Sequence, residues 1–347
     1  MLGVSVYLGQ ALTADDYNSL VALRNAGFGG VFTSLLLPED DPEDVLRHLT
    51  ELVKWCKNLG LKLTADVSAQ GLARLGIDVK NWNQVASLHV DSLRIDDGIS
   101  PDTIAALTKK MPIALNASTL SDDDVYNLRQ AGADFEQLEA WNNFYPRPET
   151  GLDRAWYAQR LAWLHQQGFK VQAFIPGNKN VRGPIFAGLP TIEDHRGKSP
   201  FAAALDLKQM GTDAIFIGDS DLADDTLEQF TSYFKEHKLL LRTEEDLPTL
   251  FEHEWHQRPD LSRDVIRLKE GRLRQLFPVV PQPAQERSRG TITVDNSDYL
   301  RYQGELQITK KDLPANPRVN VLGHIVDEDC DLLQFIGPDE LLAFKQK

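Results

Sequence analysis

Residues 41–67, DPEDVLRHLTELVKWCKNLGLKLTADV, contain a helix followed directly by a strand. Apolar residues spaced three and four apart predict an amphipathic helix over residues 41–59. Gly60 follows at the position where a helix is often ended by a left-handed residue. The apolar run 61–67 then predicts a buried strand with Asp66 near its end. The segment is therefore one αβ unit of an alternating fold.

The same order of helix, glycine and strand recurs through the first two thirds of the chain, with a glycine at 27, 60, 132, 168 and 211. The pattern predicts eight strands and eight helices. The predicted strands are 2–8, 30–34, 61–67, 92–96, 113–116, 135–139, 170–175 and 213–217. The predicted helices are 14–25, 41–59, 82–86, 101–110, 122–130, 153–167, 201–210 and 221–237.

Alternating units of this kind predict a parallel sheet, and eight of them in ~240 residues favour a (β/α)8 TIM-type barrel over an open doubly wound sheet. The glycine-rich turn of a dinucleotide-binding fold is absent, because residues 9–13 after the first strand read GQALT. A flavodoxin-like open sheet is the alternative, but it would have to accommodate three surplus strands.

The pattern changes from about residue 240. Helical periodicity fades, the proline-rich stretch 277–283 interrupts the chain, and short β-like runs follow at 290–294, 304–308, 319–325 and 332–336. We expect a barrel domain over residues 1–240 and a smaller, mainly β domain over residues 241–347.

The composition limits the classes of partner that the protein could bind. The formal net charge is -14, so the chain would not attract duplex nucleic acid or an anionic membrane. The two cysteines, Cys56 and Cys330, lie far apart and fit a reduced compartment. We find no leader and no apolar stretch of the ~18 residues that a membrane span needs. We therefore expect a soluble, cytoplasmic protein.

Carboxylates and amides close several predicted strands. A barrel places its active site at the carboxyl ends of its strands, and Asp66, Asp96, Asn116 and Glu139 lie there. The eight histidines form no zinc-hydrolase pattern, and no lysine closes a strand to act as a Schiff-base nucleophile. Glycosidic bonds are cleaved by two carboxyl groups, or by one together with the substrate's acetamido group. Carboxylates at a barrel rim also bind Mg²⁺, which leaves a lyase or isomerase open.

Two predicted loops carry binding groups. Residues 138–152 after the sixth strand, LEAWNNFYPRPETGL, bring amides, aromatics and Arg147 close together, and Pro146 and Pro148 stiffen the segment. Asn143 and Tyr145 there are expected to hold sugar hydroxyls. The loop 175–197 after the seventh strand is much longer than the about 2–6 residues usual for such loops. It brings Arg182, His195 and Arg196 to the end of the barrel where phosphate sites often form.

Several motifs resemble those of the bacterial 6-phospho-N-acetylmuramidase family, and they match it in order over essentially the whole chain. They are LRIDDG at 93–98, NFYPR at 143–147, TGL at 150–152, RGP at 182–184, GLPT at 188–191, EDHR at 193–196 and YQGELQ at 302–307. The resemblance implies a TIM-type barrel followed by a cyclophilin-like β domain. It also implies hydrolysis of the β-1,4 bond of 6-phospho-N-acetylmuramyl-N-acetylglucosamine in the recycling of cell-wall peptidoglycan.

From the strand ends we expect Asp66, Asp96 and Glu139 to be the catalytic carboxylates. The expected substrate-binding residues are Asn116, Asn143, Tyr145, Arg147, Arg182, Glu193, His195, Arg196, Glu305 and Gln307. We expect no cofactor and no metal, and a phosphorylated disaccharide as the ligand. Retaining, inverting and substrate-assisted mechanisms all fit this set, with any of the three carboxylates as the acid. The alternatives are a phosphosugar-binding regulatory protein without catalysis and a Mg²⁺-dependent phosphosugar lyase or isomerase.

Overall fold

The computed structural model of the protein describes residues 1–35 and 41–347. Backbone contacts divide the chain into a barrel unit, Met1–Ala223, and a C-terminal unit, Asp224–Lys347. Each unit is described separately below. No helix among the described residues is long and apolar enough to cross a membrane.

The barrel unit is a closed barrel of eight parallel strands in sequential order, which confirms the predicted fold. The strands are β1 Leu2–Ser5, β2 Gly30–Ser34, β3 Lys62–Val67, β4 Ser92–Ile95, β5 Ile113–Asn116, β6 Leu138–Trp141, β7 Lys170–Ile175 and β8 Ala214–Ile217. The helices are α1 Ala14–Asn25, α2 Pro42–Leu59, α3 Ala69–Arg74, α4 Trp82–Ala86, α5 Pro101–Thr108, α6 Asp122–Gln130, α7 Arg154–Gln167 and α8 Pro200–Met210.

Glycine ends three of these helices as predicted. Gly60, Gly168 and Gly211 follow α2, α7 and α8 with φ of 65°, 94° and 94°, and each backbone N–H bonds back into its helix. This left-handed conformation strains residues that carry a Cβ atom. Each helix therefore ends where the next strand can begin.

Aromatic rings fill the middle of the barrel. Phe32, Trp141, Phe174 and Phe216 form a buried cluster, and Phe144 packs against it. The barrel narrows beside Phe216, where a Cβ atom on Gly3 would be 2.2 Å from the ring. These rings form an apolar cluster in the interior of the barrel.

The sixth strand differs from the prediction. Residues Phe135–Gln137 form a 3-10 turn that Asp134 caps by accepting a hydrogen bond from the N–H of Glu136. The strand therefore begins at Leu138 and ends at Trp141, so the predicted strand end at Glu139 is wrong.

The C-terminal unit is mainly β, as predicted. It contains the strands β9 Leu239–Thr243, β10 Trp255–His256, β11 Val265–Leu268, β12 Thr291–Asp295, β13 Leu306–Thr309, β14 Val319–His324 and β15 Leu341–Gln346. They form a three-stranded sheet in the order β10-β15-β9 and a four-stranded antiparallel sheet in the order β11-β13-β12-β14. Its helices are α9 Asp224–Glu236, α10 Pro248–Phe251, α11 Gly271–Arg274 and α12 Asp327–Cys330.

One segment of this unit departs from the sequence-based assignment. The apolar run predicted as a strand at 332–336 lies largely within a 3-10 turn, Asp331–Phe335. Helix α9 groups with the C-terminal unit by its backbone contacts. Within this unit, Arg242 of β9 forms ion pairs with both Asp225 of α9 and Asp329 of α12.

Candidate active site

Three neighbouring barrel strands end in polar side chains that meet at one edge. Asp66 of β3 lies beside Arg94 of β4 in the parallel register. Asp96 follows β4, and Asn116 is the last residue of β5. Side chains two residues apart on a strand point the same way, so Arg94 and Asp96 share the inner side of the barrel. The predicted convergence of Asp66, Asp96 and Asn116 is present.

Arg94 holds this group together. Its Nη1 donates to Oδ1 of Asp66 at 2.5 Å and to Oδ1 of Asp96 at 3.2 Å. Its Nη2 donates to the side-chain oxygen of Asn143. The Asn116 amide donates to the same Oδ1 of Asp96 at 2.9 Å. We call these five residues the Arg94 cluster.

The two carboxylates of the cluster have different surroundings. Asp66 is almost fully buried, and this burial raises the pKa of its carboxyl group to about 6, although Arg94 acts in the opposite direction. The side chain of Asp96 is 36% exposed, so part of it is accessible to solvent. The carboxyl group of Asp66 can therefore hold a proton near neutral pH, whereas that of Asp96 is accessible to a ligand.

Tyr145 extends the polar edge beyond the cluster. Its hydroxyl lies 3.3 Å from the hydroxyl of Ser118, whose backbone N–H donates to the Asn116 side chain. Tyr145 is half-buried, and this contact joins the loop after β5 to the loop after β6. Asn116, Asn143 and Tyr145 thus lie along one polar edge, and their role in holding sugar hydroxyls stays a prediction.

Glu139 lies elsewhere. It is level with Lys170, the first residue of β7, and so belongs to the amino-terminal end of the barrel. Its carboxylate accepts the indole N–H of Trp141 at 2.7 Å. It also lies near the Met1 amino group, whose pKa is lowered by burial, and Glu139 acts against that lowering. Glu139 is therefore left out of the catalytic pair that we propose.

Arg196 and Glu193 join the two long loops of the barrel instead of facing a ligand. The Arg196 guanidinium donates to both carboxylate oxygens of Glu193 and to the backbone carbonyls of Tyr145, Ala187 and Gly188. The Glu193 carboxylate also accepts the N–H groups of Glu149 and Gly151 at 2.8 and 2.7 Å. Because the donors of Arg196 are occupied, the arrangement argues against the predicted role of either residue in binding substrate.

His195 is also placed away from the rim. Its Nε2 lies 3.0 Å from the carboxylate of Asp206 on α8, and the residue is buried. Asp206 in turn binds Arg154 of α7 at 2.6 Å. The contact joins the outer helices, so the predicted role of His195 in substrate binding has no support in this geometry.

Loss of the Arg196 side chain should destabilise the barrel unit. We expect Arg196→Ala to lower the melting temperature by roughly 5–10 °C, because several charge-assisted hydrogen bonds are lost and Glu193 keeps an unpaired charge. Differential scanning calorimetry measures this. Arg47→Ala is the matched control, since the Arg47–Asp44 pair is largely exposed and should contribute little. Equal melting temperatures for the two variants would contradict the structural role of Arg196.

Arg182 is the cation that the loop after β7 presents at the rim. Its guanidinium lies 3.8 Å from the centre of the Tyr7 ring, and its backbone N–H donates to Asp219 at 2.9 Å. Asp219, which follows β8, is fully buried and also accepts the N–H groups of Gly177 and Leu189. Arg182 and Tyr7 border a cleft of about 660 Å³, which the loops after β1, β7 and β8 surround.

Arg147, the other predicted cation, is exposed. No described residue forms a hydrogen bond or an ion pair with its guanidinium, although its carbonyl accepts bonds from Thr150 and Arg196. It stays a candidate for ligand binding, with a less fixed position than Arg182.

Arg94 and Tyr7 are the residues that the strand-end prediction undervalued. Both close apolar runs, but no role was assigned to them. The sequence signal for Arg94 is its position at a strand end, two residues before Asp96. A buried guanidinium there needs anionic partners.

Glu305 and Gln307, the predicted residues of the C-terminal unit, lie two apart along the chain at β13. Glu305 is buried and accepts a hydrogen bond from Arg267 at 2.7 Å. Gln307 is partly exposed and is paired with Thr293 and Arg267 in the register of the sheet. Their contribution to a substrate site stays a prediction.

Comparison with known proteins gives the family. A crystal structure of a conserved protein of unknown function from Enterococcus faecalis is 36% identical, covers 100% of this chain and 96% of its own, and superposes with a TM-score of 0.92. An uncharacterised protein of B. cereus shares the fold at 24% identity, with a TM-score of 0.77 and 99% of each chain covered. No curated protein matches. Residues 2–232 match the profile described as 6-phospho-N-acetylmuramidase, N-terminal, and residues 237–345 match the one described as 6-phospho-N-acetylmuramidase, C-terminal. The chain therefore belongs to the 6-phospho-N-acetylmuramidase family of glycoside hydrolases.

Proposed function

We propose that this protein hydrolyses the β-1,4 bond of 6-phospho-N-acetylmuramyl-N-acetylglucosamine and acts in the recycling of peptidoglycan fragments in the cytoplasm. Family membership supports the substrate class. The observation that carries the chemistry is the Arg94 cluster, in which two carboxylates of different environment meet at the carboxyl ends of β3 and β4. A glycosidase needs one protonated and one ionised carboxyl group beside the scissile bond.

In this proposal Asp66 is the general acid. Its raised pKa allows it to carry a proton near neutral pH and to give it to the leaving oxygen of N-acetylglucosamine. Asp96 accepts hydrogen bonds from Arg94 and Asn116. It either attacks the anomeric carbon or orients the acetamido group of the muramic acid so that this group attacks, while the bond to the leaving oxygen breaks. Water, deprotonated by the Asp66 carboxylate, then attacks the same carbon and releases the sugar from the intermediate.

The spacing of the pair favours retention of configuration. Both Oδ1 atoms bind one nitrogen of Arg94, at 2.5 and 3.2 Å, so they are less than about 6 Å apart. Inverting enzymes keep their carboxyl groups roughly 6.5–9.5 Å apart to admit a water molecule, whereas retaining enzymes keep them about 5–5.5 Å apart. Attack by Asp96 and attack by the acetamido oxygen both lead to retention.

The stereochemical outcome tests this proposal. Proton NMR of the reaction in deuterium oxide should show the β-anomer of 6-phospho-N-acetylmuramic acid first, followed by slow mutarotation. The α-anomer appearing first would contradict the assignment of the pair. If no N-acetylglucosamine is released from the phosphorylated disaccharide, the proposed function itself is wrong. The unphosphorylated disaccharide is the control and should react far more slowly.

A further inference from the structure

Three arginines of the C-terminal unit surround one buried carboxylate. Arg267 of β11 donates to the carboxylate of Glu305 at 2.7 Å, and Glu305 is buried. Arg258, which follows β10, and Arg272 of α11 each bring a guanidinium nitrogen to 3.8 Å from the same carboxylate. We call these four residues the Arg267 cluster. A single carboxylate carries one negative charge, so the three guanidinium groups exceed it in charge.

Two of these guanidinium groups keep a donor without a partner. A separation of 3.8 Å is too long for a hydrogen bond, so Nη1 of Arg258 and Nη1 of Arg272 lie beside Glu305 without bonding to it. Neither nitrogen donates to any other residue in the part of the chain that the structure describes. The two side chains are 33% and 42% exposed, so a ligand in solution can approach both of them.

The surrounding backbone holds these arginines in place. The Nη2 of Arg272 donates to the carbonyl of Arg301 at 2.7 Å. A Cβ atom on Gly271 would be 2.6 Å from a side-chain carbon of β13, so glycine lets α11 pack directly on that strand. The backbone N–H of Arg258 donates to the carbonyl of Arg267 at 3.0 Å. Because groups placed in advance lose little freedom on binding, the cluster is suited to hold a small anion.

Two further carboxylates and a fourth arginine belong to the charge balance. Asp260 is largely exposed and bonds to two arginines of the cluster, at 2.8 and 3.1 Å. Asp295 lies near Glu305, and burial together with Glu305 raises its pKa to about 7, so it is only partly ionised at neutral pH. Arg287 acts against that rise. Four arginines therefore meet two full negative charges and a partial one, which leaves positive charge for a ligand.

The contacts of Asp260 and Tyr302 indicate the kind of anion. The two carboxylate oxygens of Asp260 accept hydrogen bonds from two nitrogens of Arg258, at 2.8 and 3.3 Å. This is the bidentate geometry that a guanidinium also forms with phosphate. The excess positive charge favours a dianion over a single carboxylate. The Tyr302 ring is half-exposed, and its centre lies 5.8 Å from the Arg272 guanidinium, so a ligand there also meets an aromatic surface.

We propose that the Arg267 cluster binds a dianionic sugar phosphate at the surface of the C-terminal unit. The phosphate oxygens accept hydrogen bonds from Nη1 of Arg258 and Nη1 of Arg272, and the sugar packs on Tyr302. Glu305 stays bonded to Arg267 and keeps that guanidinium in place. The site goes beyond the proposed function, because it lies wholly within the C-terminal unit and requires no hydrolysis.

Isothermal titration calorimetry with N-acetylglucosamine 6-phosphate tests this site. The titration uses full-length Arg182→Ala protein, in which the cation at the barrel rim is absent. We expect a further Arg258→Ala or Arg272→Ala change to weaken binding about 10-fold, the effect of one lost charge-assisted hydrogen bond. Arg263→Ala is the matched control, because that side chain is 86% exposed and pairs only with Asp264 among the described residues. The control should bind as before.

Asp260→Asn should have the opposite effect. The substitution removes a competing negative charge and weakens the hold on Arg258 and Arg267, so we expect it to tighten binding about 3- to 5-fold. A purely structural role of the three arginines predicts no tightening. Asp260 is largely exposed, so the variant should fold. If an alanine variant of the cluster unfolds, the sign of the Asp260→Asn effect decides alone.

A comparison of ligands separates the phosphate from the sugar. Tyr302→Ala should weaken binding of the sugar phosphate and leave that of inorganic phosphate unchanged. The arginine variants should not alter any binding of N-acetylglucosamine, which has no charge. Absence of binding, or parent-like affinity for the sugar phosphate in both arginine variants, would overturn the proposal. If inorganic phosphate binds as tightly as the sugar phosphate and Tyr302→Ala weakens neither, the assignment of a sugar ester is wrong.

Discussion

Replacing Asp96 by asparagine is expected to lower kcat for the phosphorylated disaccharide by at least about 100-fold, the usual size of a lost acid, base or nucleophile contribution. Asparagine still accepts the hydrogen bonds from Arg94 and Asn116, so the fold should change little. The expected signature is therefore a large loss in kcat with a small change in KM. Steady-state release of N-acetylglucosamine measures both constants.

Asp66→Asn should cause a loss of similar size that depends on the leaving group. If Asp66 is the acid, an aryl glycoside with a good leaving group should recover much of the lost rate, because that group leaves without a proton. The dependence of kcat/KM on pH is a second test. The acid must be protonated, so kcat/KM of the parent should fall as pH rises through about 6, the pKa of Asp66. That limb should vanish in Asp66→Asn.

Glu139→Gln is the matched control for both variants. The substitution is chemically the same, but Glu139 lies level with the first residue of β7, and glutamine keeps an oxygen for the Trp141 indole. Its turnover should stay within about 3-fold of the parent. A large loss in Glu139→Gln combined with parent-like turnover in Asp96→Asn would place the chemistry outside the Arg94 cluster.

The barrel was predictable from sequence because its signals are local. Gly60 and the apolar run after it fix one helix end and one strand start without reference to the rest of the chain. Once the strands are known, the parallel register brings Asp66, Asp96 and Asn116 together. This part of the candidate site follows from strand ends alone.

Glu139 shows where such reasoning fails. The apolar residues before it suggested a strand that ends there, but Asp134 caps a 3-10 turn and shifts the strand towards Trp141. A shift of two residues keeps the side chain inside the barrel and moves it to the other end. The competing signal was a side-chain cap, which resembles any other aspartate in a sequence.

Arg196 illustrates a second limit. Its sequence context, a cationic loop in an acidic protein, fits a phosphate site and a structural ion pair equally well. The outcome depends on carbonyl groups of Tyr145, Ala187 and Gly188, which only the folded loops bring together. Backbone acceptors carry no residue signature, so this use of an arginine could not be predicted from residue types.

With Arg196 occupied, Arg182 is the best remaining cation for the substrate phosphate. The protein has a net charge of -14, so a dianion is repelled at long range and must be captured by donors at close range. Arg182 has the required support, because Asp219 fixes its backbone N–H and the Tyr7 ring lies 3.8 Å from its guanidinium. A stacked guanidinium loses little freedom when it binds phosphate in a bidentate manner.

Arg182→Ala is therefore expected to raise KM for the phosphorylated disaccharide by about 10- to 100-fold, since a charge-assisted bidentate contact contributes roughly 1.5–3 kcal/mol. The same change should leave kcat/KM for the unphosphorylated disaccharide nearly as it is, because that substrate has no group for the guanidinium to bind. Arg182→Lys keeps the charge but loses the planar fork, and it should fall between alanine and the parent. Arg147→Ala is the matched control, removing an exposed guanidinium with no fixed position, and should raise KM less. If Arg147→Ala alone discriminates the two substrates, the phosphate binds at the loop after β6, and Arg182 serves only to hold Tyr7.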